Sequence, residues 1–196
     1  TIRELHLGGR TVQVTGVGYE PTGEFYMGGQ AVPLQPDSHF LLVLRAGLLC
    51  NTASLEHTDG HWEVVGDPTE GALLVVAAKA GLDFETERDT YPKVGEIPFD
   101  ARERRMVTIH QGDRGANGHE LISGYPLAMI VKGAPEVVLP NCTRWQEGNT
   151  VVELTEADRE QLWQVNNEMA GRALRLLALA YKGAQTQTED PFSGLV

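Results

Sequence analysis

Val94-Gly95-Glu96-Ile97-Pro98-Phe99, then Asp100-Ala101-Arg102-Glu103-Arg104-Arg105, then Met106-Val107-Thr108-Ile109-His110 read as two apolar strands with a charged turn between or overlapping them. A polar, Gly-rich loop over residues 111–125 leads from there to a third apolar strand at 127–131. Strands in adjacent runs, with few helices interrupting them, do not follow the strict alternation of a parallel βαβ fold. They predict an α+β architecture, a largely antiparallel β-sheet flanked by helices.

Working outward, Val12 and Val14 alternate with Gln13 and Thr15, a turn-rich Gly18-Tyr19-Glu20-Pro21-Thr22-Gly23 follows, and the chain returns through Phe25 and Tyr26, which predicts a hairpin. Over 37–50, Leu41, Leu44 and Leu48 with Leu42 and Leu49 recur at helical spacing, and Asp37 or Ser38 can cap the first turn. Residues 61–65 read as a strand. Asp67 as N-cap, Pro68 at the first helical position and Glu70 reaching back as in a capping box then open a helix that Gly81 ends. An acidic loop follows it. Pro135 can open a short helix, and Thr155 with Asp158 caps another, with Leu162, Val165 and Met169 as its core-facing stripe and Gly171 as its end. The apolar run 174–181 reads as a buried strand.

The chain has 196 residues with 16 basic and 27 acidic side chains, a net charge of −11, which suits a single domain over residues 1–196. With 41% hydrophobic residues, whole-chain disorder is excluded. A net acidic surface repels nucleic acid unless a local basic patch overrides it, and no nucleic-acid partner is expected. Two cysteines, Cys50 and Cys142, without CxxC spacing point to a reducing compartment and away from a zinc ribbon or disulfide framework. No signal peptide is marked, and the longest apolar runs fall far short of the ~20 residues that cross a bilayer. Direct membrane insertion is therefore not expected.

Several chemistries drop out on residue type alone. No lysine follows a glycine, so a Walker A loop is absent, and Gly16-Val17-Gly18 has Pro21 where a dinucleotide fingerprint needs its third glycine. His57 and His61 share a four-residue spacing, but Asp59-Gly60 between them is a turn signal, so no metal site is assigned. No Ser-His-Asp set or nucleophile elbow can be picked out, so no catalytic residue is assigned.

Four segments carry a different signal: Gly66-Asp67-Pro68-Thr69-Glu70-Gly71-Ala72-Leu73, Ile97-Pro98-Phe99-Asp100 continuing to Arg105-Met106, Val131-Lys132-Gly133-Ala134-Pro135-Glu136, and Leu174-Arg175-Leu176-Leu177-Ala178-Leu179-Ala180. In that order they resemble the nucleotide-binding domain of P-type cation-transporting ATPases, in the branch with calcium and sodium/potassium pumps. The likeness runs from about residue 50 to 181. Residues 1–5 look like the segment after the family's Asp-Lys-Thr-Gly-Thr phosphorylation motif, and 192–196 like the return into the phosphorylation domain.

The resemblance implies a cytoplasmic domain of an integral membrane protein that holds ATP without cleaving it. Its partners would be the phosphorylation and actuator domains of the same parent chain, with Mg²⁺ coordinated mainly by the phosphorylation domain. It implies that Phe99 stacks on adenine, Glu70 receives the adenine amino group and Lys132 lies at the base of the pocket. Gly133 would let the backbone approach the ligand, and Leu177 would form an apolar wall. Arg104, where relatives commonly carry lysine, and Arg175 would reach the phosphates. Each has a plainer alternative: core packing for Phe99 and Leu177, helix capping for Glu70, a snorkelling surface lysine for Lys132. Arg102 and Arg105 are either part of a phosphate-facing patch or a solvated turn paired with Asp100 and Glu103. A stand-alone nucleotide-binding regulator and an interaction domain without ligand remain the rival functions.

Overall fold

The computed structural model describes residues 1–35, 38–112 and 121–196, arranged as two compact units, Thr1–Thr90 and Tyr91–Val196. In the first, β1 (Glu4–Leu7), β2 (Arg10–Val14), β3 (Phe25–Met27) and β4 (Gln30–Ala31) form an antiparallel meander. The expected hairpin is its centre, with Val14 opposite Phe25. Helix α1 (His39–Leu49) is capped by Ser38, whose Oγ accepts from Leu41 N at 3.3 Å; Asp37, the other candidate, lies outside the described residues. Strands β5 (Ser54–Thr58) and β6 (His61–Val65) make a hairpin whose Asp59-Gly60 turn has positive φ at both positions, so the two histidines flank a turn as the sequence suggests.

Helix α2 (Pro68–Lys79) has the predicted Asp67 cap and Pro68 start, with Asp67 Oδ1 accepting from Thr69 N at 2.8 Å and Glu70 N at 3.1 Å. Its Gly71 is needed for packing, because a Cβ there would lie 2.3 Å from a methyl of Val64 in β6. The acidic stretch after Gly81, expected to be a loop, contains helix α3 (Phe84–Thr90). Asp83 caps it by accepting from Thr86 N and Oγ1 at 2.9 and 2.7 Å, which lowers the Asp83 carboxyl below the usual range. Buried Glu87 then receives two bonds from Arg45, at 2.6 and 3.2 Å, and so ties α3 to α1.

The second unit is built on an antiparallel sheet of β7 (Lys93–Asp100), β8 (Arg105–Gln111), β9 (Leu127–Gly133) and β12 (Ala178–Ala184), in the order β12-β9-β8-β7. The α+β reading holds, and β7 extends into the charged turn because Asp100 still pairs with Arg105. Helix α4 (Pro135–Val138), the β10–β11 hairpin (Arg144–Glu147 and Thr150–Glu153) and helix α5 (Glu156–Gly171) lie between β9 and β12. The Thr155–Asp158 capping box is formed, and Met169 is buried with Leu162 packed at the core edge.

One expected strand is displaced. Residues 174–177 precede the strand, which starts only at Ala178. The cause is local: Arg172 caps α5, Ala173 then turns with φ 58°, and the chain needs the next residues to reach the sheet. Strand alternation sends Val107, Ile109, Met129, Val131 and Ala180 to a core completed by Val138, Cys142, Leu154 and Leu195. Met106, Thr108, His110, Ala128, Ile130 and Lys132 occupy the opposite face and are buried as well.

Candidate functional site

Antiparallel register brings the expected residues of the second unit to one end of its sheet. Asp100, Arg105, Gly133 and Ala178 are successive partners in one row, and Met106, Lys132 and Leu179 form the adjacent row. Phe99 immediately precedes the first row on β7, while Arg175 and Leu177 lie on the segment entering β12 beside it. Phe99 stands where the β7–β8 register shifts, between Ile97 and Asp100, and is 60% exposed. It is therefore no core residue. Lys132 shows the reverse mismatch, a cation only 5% exposed, which removes the snorkelling alternative. Leu177 is 37% exposed and Arg175 is exposed, so neither belongs to the core.

The turn that ends β7 is built by Asp100, whose Oδ1 accepts from Glu103 N at 3.0 Å and Arg102 N at 2.7 Å, bonds that hold its carboxyl below the usual range. Arg104 then adopts φ 51°, and its guanidinium pairs with Glu136 Oε1 at 2.5 Å across the sheet end. Glu136 is held below the usual carboxylate range first by its own backbone N–H, which outweighs the opposing desolvation, and then by Arg104. Arg105 points to the core face: it pairs with Glu103 at 2.9 Å and its guanidinium lies 3.6 Å from the centre of the Phe192 ring. That places Arg105 on the opposite side of the sheet from Lys132, while Arg102 remains exposed at the turn.

Gly133 has a structural reason of its own. A Cβ would fall 2.7 Å from Arg104 O and 2.8 Å from Arg105 Cβ, so the β8–β9 approach already demands glycine.

Glu70 belongs to the first unit. Its backbone N–H takes the Asp67 cap, and its Oε2 accepts from Thr52 N at 2.8 Å and Thr52 Oγ1 at 2.6 Å. Thr52 is 18 positions upstream, and nothing in the local sequence pattern announces the pairing. The Arg104–Glu136 pair was equally hidden, although both residues sit in segments that the motifs single out. Among the described residues no group of three His, Cys, Asp or Glu side chains could hold a metal ion, and no helix is long and apolar enough to cross a membrane.

The family model for the P-type ATPase, cytoplasmic domain N, matches residues 40–194, an interval that contains every residue of the candidate site. This chain belongs to the P-type ATPase N-domain family. The N domain is 32% identical over 182 residues to a calcium-transporting ATPase of Bacillus subtilis (strain 168), covering 93% of this chain and 19% of that protein. It is 35% identical over 189 residues to the cation-transporting ATPase pma1 of Synechocystis sp. (strain ATCC 27184 / PCC 6803 / Kazusa), again 93% of this chain and 19% of the relative. The human calcium-transporting ATPase type 2C member 1 matches at 33% over 176 residues, 88% of this chain and 17% of its own length. The N domain thus spans under a fifth of these relatives, and they fit the branch with calcium and sodium/potassium pumps that the four motifs resemble.

Proposed function

We propose that residues 1–196 act as one nucleotide-binding domain that holds ATP chiefly by its adenine and delivers it to the phosphorylation domain of a cation-transporting P-type ATPase. One observation supports the reading: a solvent-facing aromatic ring, Phe99, and a buried cation, Lys132, lie at the same end of the sheet. An exposed aromatic face is a stacking platform for a purine, worth ~1–3 kcal/mol per base. Lys132 supplies positive charge, Leu177 apolar wall, and Arg104 and Arg175 guanidinium groups for phosphate oxygens. Glu70 is the proposed acceptor for the adenine amino group. A carboxylate only accepts hydrogen bonds, so it favours that donor over the carbonyl that guanine presents.

In this reading Mg²⁺ is coordinated mainly by the phosphorylation domain, the actuator domain is the other partner, and the domain faces the cytoplasm as part of an integral membrane protein. The groups that split ATP are likewise assigned to the phosphorylation domain, so the chain alone binds nucleotide without turning it over. Titration calorimetry tests this directly: one ATP binds with a Kd of about 0.1–3 mM, with ADP and AMP within about tenfold. Absence of binding at ten times that range would favour an interaction domain without ligand, and phosphate release by the pure chain would show a missed catalytic group.

A further inference from the structure

We propose that Thr52 is a positioning residue that orients Glu70 and thereby sets the preference for adenine over guanine; this rests on the nucleotide-binding reading of Glu70. Glu70 lies in the first turn of α2, a helix start already capped by Asp67. Thr52 presents two donors to the same oxygen of Glu70, Oε2: its backbone N–H at 2.8 Å and its hydroxyl at 2.6 Å. Moving Oε2 away from Thr52 breaks both bonds, so Thr52 restrains the direction in which Glu70 can accept from a ligand. The hydroxyl hydrogen of Thr52 is committed to Oε2 as well, and so is not offered to a guanine carbonyl.

The loop that carries Thr52 does not depend on this hydroxyl. Asn51 is 0% exposed; its Nδ2 donates to Gly47 O at 3.3 Å and Glu70 O at 2.9 Å, and its Oδ1 accepts from Ala53 N at 2.9 Å. Arg88 adds a bond to Asn51 O at 3.3 Å. Asn51 therefore anchors the backbone, and the exposed Thr52 side chain is left with the orientation of Glu70 as its one described contact. Division of labour between adjacent residues makes the two roles separable by mutation.

The test measures ATP and GTP binding by calorimetry, with urea midpoints, for the 196-residue chain and for Thr52→Val, Thr52→Ser, Glu70→Ala and the Thr52→Val/Glu70→Ala double variant. Thr52→Val removes the hydroxyl at constant shape and should weaken ATP about three- to tenfold, part of the worth of a hydrogen bond to a charged group, while leaving GTP unchanged. Thr52→Ser should restore the wild-type ratio, and Thr52→Val should add nothing in the Glu70→Ala background. If Glu70→Ala narrows the ATP/GTP ratio but Thr52→Val does not, Thr52 loses its role and the adenine reading stands. If neither narrows it, both fall. A parallel drop in ATP, GTP and the urea midpoint in Thr52→Val would mark Thr52 as structural and overturn the proposal; Thr52→Ala supplies a second hydroxyl deletion should the valine variant fail to fold.

Discussion

Phe25 and Phe99 both sit in strands of antiparallel sheets, but Phe25 is 4% exposed and Phe99 is 60% exposed. Phe25 faces Phe40 edge-on, with ring centres 4.9 Å apart, in the core of the first unit. Phe99 follows Pro98 on an edge strand at a register shift, which breaks the alternation that would otherwise dictate its direction. A buried Phe contributes ~1.5–3 kcal/mol through burial, and most of that is forgone when the ring stays in water. The difference teaches that irregular pairing, rather than residue type, leaves an aromatic ring facing solvent.

The largest expected effect breaks the comparison on the stability side. Phe25→Ala should cost ~3–5 kcal/mol in urea denaturation, and a loss below about 1 kcal/mol would mean the ring is not the core element its burial indicates. Next comes Lys132→Met, expected to remove ~1.5–3 kcal/mol of ATP affinity, the worth of hydrogen bonds to a charged group. Unchanged affinity would reassign the buried cation to the fold.

Phe99→Ala should lower ATP affinity by ~1–3 kcal/mol and leave the urea midpoint nearly where it was. A stability loss matching Phe25→Ala, with affinity retained in the folded fraction, would erase the contrast between the two rings. The smallest effect has the opposite sign. Glu136→Gln releases Arg104 from an ion pair whose partners are both half-exposed, so ATP affinity should rise by at most ~1 kcal/mol, with AMP less affected. A fall in ATP affinity would show that Glu136 orients Arg104 for phosphate instead of competing for it.

Local signals in the sequence read well where a cap and a repeat coincide. Asp67-Pro68, Thr155 with Asp158, and the alternation around Val12 and Val14 each specify their element within a few residues. The α3 helix was missed because its seven residues carry only a faint apolar repeat, although Asp83 three before Thr86 is a cap signal. The Gly148-Asn149 turn between β10 and β11 was a similar unread cue. At the candidate site, the motifs pointed to Phe99 and Lys132, but the exposure of one and burial of the other depend on register. Long-range partners such as Thr52 for Glu70 leave no trace in spacing at all.

The last two residues have a mechanical consequence. Val196 exchanges hydrogen bonds with Tyr181 of β12 at 3.0 and 2.9 Å, while buried Leu195 donates to Asn141 O and its carbonyl accepts from Thr143 N and Arg144 N. Because β12 is an edge strand, this clasp also occupies backbone groups that could otherwise template a second chain. A pull applied at Val196 is loaded onto several bonds at once and passes directly into β12, the strand entered through Arg175 and Leu177. Force passing through Val196 thus reaches the strand that borders the proposed nucleotide site.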